Sequence, residues 1–276
     1  MGRASAWTKS PRQADSALNM AVAARDTEVL SMVEQALRHN EVTLAFQPVV
    51  EARRPGNVAF YEGLIRIFDA TGRIIPAKDF IDHVEAHEVG RLIDAVALEH
   101  GLRALSEAPS IRLSINMSAR SMGYLRWMET LERGLAKDPT IADRLILEIT
   151  ESSAMTVPEL VGAFMADMQR RNIAFALDDF GAGYTSFRYL REFKFDILKI
   201  DAQFCRDVSR NRDNQALLRA MQIISKQFET LTVAEGVETQ PEADWLAAAG
   251  IDCIQGYLYG VPTIKAPWRI RDRIAG

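Results

Sequence analysis

Between residues 111 and 260 the chain repeats one unit: a short apolar run, a polar tip, then a stretch with helical periodicity. The runs are IRLSINMS (111–118), LILEITES (145–152), IAFALDD (173–179), FDILKID (195–201), LTVAEGVE (231–238) and CIQGYLYG (253–260). Strands that alternate with helices predict a largely parallel sheet with helices packed outside it. Two further strands precede the repeat, TLAFQPVV (43–50) and VAFYEGLIRIF (58–68), joined by the turn-rich 53–57 and rich in β-branched and aromatic residues. Eight strand candidates in about 235 residues fit a closed TIM-like (β/α)8 barrel better than an open doubly wound sheet. The hairpin at its start has no crossover helix, so one barrel strand is expected to run antiparallel.

The intervening segments carry their own punctuation. Apolar residues at Val29, Leu30, Val33 and Leu37 predict a helix over 26–39, where the domain proper (26–276) is expected to start. Residues 1–25 are small, polar and weakly patterned, and read as a mobile arm or linker remnant with a nascent helix over 14–25. Thr156-x-x-Glu159 and Thr239-x-x-Glu242 read as capping boxes with Pro in the first turn. Leu217, Met221, Ile224 and Phe228 read as one buried stripe. His83 and His87 are spaced to chelate a metal, but HVEAH on a charged helix face is better read as surface. Cys205 and Cys253 are too few for a disulfide framework and are expected to be buried or half-buried thiols, with the reducing cytoplasm as the default compartment. A formal net charge of −4 offers no basic stripe for polymeric nucleic acid. No run approaches the roughly eighteen apolar residues of a membrane span.

The polar tips carry the chemistry. In a barrel of this kind the loops after the strands form the active-site face, and the tips bring Asn116, Glu148, Asp178, Lys199 and Glu235 to that end, joined by Glu62 on the second strand. IAFALDDFGAG (173–183) ends on two adjacent carboxylates, Asp178 and Asp179, followed by two glycines in three residues. Neighbouring carboxylates beside a core repel each other unless a cation lies between them. Carboxylates with the neutral oxygen of Asn116, and neither Cys nor His, make a hard donor set that selects Mg²⁺, Mn²⁺ or Ca²⁺ over zinc or copper. Two such ions would place a hydroxide in line with a phosphodiester. Lys199 would be held protonated by these acids, to orient the water or shield the oxyanion. Arg66, four residues from Glu62 and on the same strand face, offers a fork suited to phosphate.

Glu62-Gly63-Leu64-Ile65-Arg66 resembles the ExLxR signature of EAL-domain proteins, the bacterial phosphodiesterases that act on cyclic di-GMP. The resemblance continues in order through Gln47-Pro48, INMS, LEITES, DDFGAGY, LKID, AEGVE and QGYLYG, and covers about residues 26–265. It implies a TIM-like barrel with one antiparallel strand and hydrolysis of cyclic di-GMP to linear pGpG. By this resemblance Glu62, Asn116, Glu148 and Asp178 hold the first of two divalent cations, Mg²⁺ or Mn²⁺, with Ca²⁺ expected to inhibit. Asp178, Asp179 and Glu235 hold the second, and Lys199 assists the bridging water. Gln47, Leu64, Arg66 and Gln255 become substrate contacts, and Glu151 an anchor for the loop after Asp179 rather than a metal ligand.

The chain departs from the family pattern at Gly63, where the signature has Ala, at Ile67, where Trp is common, and at Ala182, where Thr is commoner. Gly63 is expected to loosen its strand by roughly 0.5–1 kcal/mol, and no departure removes a ligand. Two other readings compete with the enzyme: a non-catalytic cyclic di-GMP receptor, and a protein-interaction module that keeps the barrel. Residues 181–191, with Phe187, Tyr189 and Leu190 expected at the surface, suggest a homodimer through that segment.

Overall fold

The computed structural model of the chain describes residues 17–183 and 187–268. Residues 1–16 of the proposed arm (1–25), and residues 184–186 of the proposed interface, lie outside them. Helix α1 (Ala17–Arg38) runs without a break from the described part of the nascent stretch into the helix expected over 26–39. The hairpin follows as β1 (Val42–Glu51) and β2 (Arg54–Phe68), with Glu51 opposite Arg54. Its turn is therefore only Ala52-Arg53, and β2 begins inside the segment expected to be turn.

A short strand absent from the sequence reading, β3 (Ile74–Pro76), pairs antiparallel with the outer end of β2 and stays outside the barrel. Beyond it the chain forms α2 (Ile81–Val84), α3 (Glu88–Glu107), β4 (Leu113–Asn116) and α4 (Leu125–Lys137). It continues through β5 (Leu145–Thr150), α5 (Glu151–Ala154), α6 (Pro158–Gln169), β6 (Ala174–Phe180) and α7 (Phe187–Glu192). The last units are β7 (Ile197–Ile200), α8 (Ala202–Cys205), α9 (Arg212–Gln227), β8 (Leu231–Ala234), α10 (Gln240–Ala249) and β9 (Cys253–Gln255).

Strands β4 to β9 pair in parallel in chain order, β2 pairs in parallel with β4, and β1 closes the ring antiparallel to both β2 and β9. The result is an eight-stranded barrel with one antiparallel member and β3 hooked on outside. Period-two alternation divides its interior into layers. The lower layer is apolar: Val49, Phe60, Ile146, Ala176, Ile197, Val233 and Cys253 form one buried cluster. Two residues nearer the open end on each strand stand Gln47, Glu62, Glu148, Asp178, Lys199, Glu235 and Gln255. Asn116 stands in the same relation to the buried Ser114 on β4. A hydrophobic plug thus supports a polar ring, and the main core lies outside, between strands and helices.

Gly63 belongs to that outer face. A Cβ there would lie 2.7 Å from Ile115 Cδ1 and 3.2 Å from the Ser114 carbonyl, and one at Gly101 would also meet Ile115 Cδ1 at 2.7 Å. Ile115 fills the space between two glycines. The glycine at the signature position is therefore tightly packed, with no room for a side chain unless Ile115 moves.

Three local expectations need correction. Helix α6 is capped at Val157, with Pro158 as its first residue, so Thr156 is not an N-cap; its hydroxyl donates to the Ser152 carbonyl. The box at Thr239 and Glu242 does form, on α10. On α9 the buried face is Leu218, Gln222 and Ser225, while Leu217 and Phe228 are exposed and Met221 and Ile224 half-buried. Gln222 donates to the Gly250 carbonyl and Ser225 to that of Thr230, so two polar residues with partners take places that an apolar count gives to others. Finally, Leu190 is buried in the main core. His83, meanwhile, reaches Asp26 on α1 with Nδ1 2.7 Å from the carboxylate, and His87 holds the N-cap position of α3 without a capping bond from its side chain. Both cysteines are free and buried.

Candidate active site

Lys199 stands at the centre of the polar ring. Its side chain is 1% exposed, and Nζ lies 2.7 Å from Glu148 Oε2, 2.9 Å from Asp178 Oδ1, 2.9 Å from Glu235 Oε1 and 3.5 Å from Glu62 Oε2. An ammonium so buried is unfavourable alone. Burial pulls its pKa down, but the four carboxylates outweigh that and leave it well above the ordinary lysine value.

The acids respond unequally. Burial raises Glu148, and Glu62 and Asp178 add to the rise, so that even with Lys199 beside it the pKa stands at about 8. Glu235 is also pushed up, chiefly by burial, with Asp178 and Glu62 opposing the relief from Lys199. Glu62 falls below its ordinary value despite burial, because Lys199 and the amides of Gln255 and Asn116 stabilise its charge. Asp179 rises to about 6 through burial and the adjacent Asp178. More negative charge converges here than one lysine neutralises.

The two aspartates reach the same place through a backbone irregularity. β6 pairs with β7 at Leu177↔Leu198 and resumes at Phe180↔Ile200, so Asp178 and Asp179 together face the single residue Lys199. That is a β-bulge. Asp179 sits at φ 55°, a left-handed conformation that Asp tolerates better than most residues. Ligand-capable oxygens of Asp178, Asp179 and Glu235 lie within 4.8 Å of one another, and so do those of Glu62, Glu148 and Asp178. The two groups share Asp178. Glu148 Oε1 is buried with no hydrogen-bond partner among the described residues, and Asp178 Oδ1 meets Lys199 without hydrogen-bond alignment. Two under-satisfied carboxylate oxygens in an all-oxygen cluster fit a pair of hard divalent cations.

Around this centre the other expected residues take distinct places. Asn116 Nδ2 donates to Glu62 Oε1 at 2.9 Å. Gln47 and Gln255 are buried and linked to each other, with Gln255 Nε2 also donating to Glu62 Oε2 at 2.6 Å. Leu64 is half-buried and lines a cleft of about 410 Å³ that runs from Glu62, Asp178 and Asp179 past Ser118 towards Lys78. Arg66 is half-buried at the rim, donates to the Ile65 carbonyl at 2.8 Å, and has the carboxylates of Glu62 and Asp79 as neighbours. Glu151 opens α5 and is buried, and its Oε2 accepts from the Gly181 amide at 3.4 Å, on the turn that follows Asp179.

Two features escaped the sequence reading. The alternation rule alone sends Asp179 to the opposite face from Asp178, and only the bulge returns it. The cleft wall also contains Asp94, buried on α3, which accepts from Ser121 Oγ at 2.6 Å and from the Ser118 amide at 2.9 Å. Burial raises its pKa to about 7 in spite of these bonds. The signal available for it was an acid in the middle of an otherwise apolar helix face.

The open end of this TIM-like barrel gathers two groups of carboxylates that share Asp178 and could hold divalent cations, with Lys199 between them and Asn116 beside Glu62. The EAL domain family model matches residues 30–262, and the chain belongs to that family. Cyclic di-GMP phosphodiesterase PdeF of Escherichia coli is 32% identical over 240 residues, covering 85% of this chain and 32% of that protein. The chain spans about a third of the length of the curated relatives it matches. Among solved structures, the PaMucR phosphodiesterase in complex with c-di-GMP superposes with a TM-score of 0.76 at 25% identity, over 88% of this chain and 99% of that one. A manganese and cyclic-di-GMP complex of Klebsiella pneumoniae BlrP1 gives 0.71 at 26% identity, over 81% and 56%.

Proposed function

We propose that this chain is a divalent-cation-dependent phosphodiesterase that hydrolyses cyclic di-GMP to linear pGpG in the cytoplasm. The observation that carries the reading is the pair of oxygen clusters sharing Asp178 beneath one buried lysine. In this reading Glu62, Asn116, Glu148 and Asp178 hold one cation, and Asp178, Asp179 and Glu235 the other. Mg²⁺ or Mn²⁺ bound there would supply Lewis acidity that lowers the pKa of water and offsets charge building on the phosphoryl oxygens.

The residues of the chain do the rest. The bulge at Asp178-Asp179 fixes two carboxylates on one side of the mouth, so no loop need reorganise to present them. In this reading Lys199 Nζ, which lies within 3.5 Å of four carboxylates, would hydrogen-bond the attacking water and balance charge in the transition state. Water adds to phosphorus, the bond from phosphorus to the 3′ oxygen breaks, and that oxygen leaves with a proton. Arg66 and Leu64, at the rim, contact the dinucleotide. Glu151 holds the loop after Asp179 through the Gly181 amide, which keeps the bulge in register.

A homodimer through residues 181–191 belongs to the same reading, although the burial of Leu190 removes one of the three apolar groups first assigned to it. Sedimentation velocity over a range of concentrations decides that point. The activity itself is tested by incubating the protein with cyclic di-GMP and Mg²⁺ or Mn²⁺ and separating the products by chromatography. Linear pGpG is expected, with Ca²⁺ suppressing it. Tight binding without product would leave a receptor in place of an enzyme, and neither binding nor product would leave an interaction module.

A further inference from the structure

One wall of the cleft is thin. Lys78, Ile81, Asp82 and Glu85 line it, spaced i, i+3, i+4 and i+7, so they share one helical face. They come from the short 3-10 turn Ala77–Asp79 and from α2, which is a single helical turn. Phe80 holds the N-cap position of α2 and makes no side-chain capping bond there. One turn has too few internal hydrogen bonds to hold itself, so what packs on either side fixes where this wall stands. On the cleft side Glu85 Oε1 accepts from Ser118 Oγ at 3.0 Å. Behind it Phe80 and Val84 are buried in the main core, which also takes in Val33 and Ala36 of α1.

His83 is not among the cleft residues; it reaches backwards, with Nδ1 2.7 Å from Asp26 Oδ1. An ionised carboxylate only accepts, so Nδ1 carries the proton and donates. The two side chains are 27% and 46% exposed, and a pair so wet adds little to the stability of the whole fold. Across 57 residues of sequence it joins the helix by which the chain enters the barrel to the wall against which a ligand lies. Neither residue belongs to the oxygen clusters. The proposed cation ligands stand on strands of a closed sheet, whereas α2 belongs to no sheet, so a displacement of α1 moves the wall before it moves them.

We propose that His83 is a positioning residue: through Asp26 it latches the α2 wall to α1, and α1 thereby sets the fit of the cleft to the dinucleotide. The inference rests on the cyclic di-GMP reading above, and its test separates the two. His83→Leu and Asp26→Leu should each raise KM in Mg²⁺, and the Kd of cyclic di-GMP in Ca²⁺, by about fivefold, the most that a half-exposed pair transmits. In both, kcat should stay within about twofold, because the loss is one of binding. The double variant should be no weaker than either single one, since both remove the same contact. His83→Gln, whose amide still donates, should restore most of the affinity. Unchanged KM and Kd in both Leu variants, or a loss that falls on kcat instead, overturns the proposal. A second measurement needs no ligand: amide hydrogen exchange over residues 80–85 should quicken in both Leu variants while that of β4 to β8 stays the same. Equal protection of 80–85 overturns the latch. If the unmodified protein fails to bind cyclic di-GMP, that reading falls and the claim on affinity with it, while the exchange comparison still decides whether the latch exists.

Discussion

Asp179 adopts φ 55° in the bulge of β6, and its carboxylate joins those of Asp178 and Glu235 because of it. Replacing it by Asn keeps size and polarity but removes one charge from the group assigned to the second cation. Turnover of Asp179→Asn should fall by orders of magnitude while cyclic di-GMP affinity, measured by calorimetry in Ca²⁺, changes little. Parallel losses of affinity and turnover would place Asp179 in binding. Asp94 makes a different prediction. Its folded pKa of about 7 lies well above the ordinary aspartate value of 3.8, so from about pH 4 to 7 the folded protein binds a proton that the unfolded chain does not. Stability must fall as pH rises through that window, by on the order of a few kcal/mol, and level off above it. Asp94→Asn can still accept from Ser121 and Ser118 through its oxygen. Urea unfolding at pH 5, 6, 7 and 8 should show a shallower decline for the variant, and identical slopes would refute the assignment.

At the level of elements, the loop after β6 and the packing under β2 each carry one test. Glu151 is on α5, in neither oxygen cluster, yet it accepts from Gly181 two residues beyond Asp179. Glu151→Ala should lower turnover at least tenfold, with metal affinity also weakened, because the turn that holds the bulge loses its anchor. Normal turnover together with normal metal affinity would sink the coupling. Ile115 fills the gap between Gly63 and Gly101. Gly63→Ala should therefore destabilise by about 1 kcal/mol or somewhat more, and adding Ile115→Val should recover part of it, both read from chemical unfolding. Stabilisation by Gly63→Ala alone would mean that Ile115 moves aside freely.

Across the whole molecule, most of the barrel was legible because two periods govern it. Alternation along each strand and the recurrence of strand, tip and helix together placed Asn116, Glu148, Lys199 and Glu235 on one mouth. What escaped depends on contacts distant in sequence. β3 is three residues long and exists only because the end of β2 offers it a partner. The inward face of α9 was misplaced because Gln222 and Ser225 find backbone carbonyls that no hydropathy pattern records. Thr156 looked like a cap, but Pro158 starts the helix one residue later. The bulge at Asp178-Asp179 has no periodic signature, and Gln47 finds its partner in the Gly260 carbonyl, 213 residues away. Sequence pattern located the ring of residues. Long-range geometry set how they face one another.

The central claim is that this ring directs water at a phosphodiester, and hydrolysis in ¹⁸O-labelled water tests it most directly. With Mg²⁺ or Mn²⁺ and cyclic di-GMP, a single turnover should yield linear pGpG carrying one ¹⁸O in its 5′-phosphate, seen by mass spectrometry as a two-dalton increase. Absence of linear product, or product whose phosphate carries no label, would contradict the account.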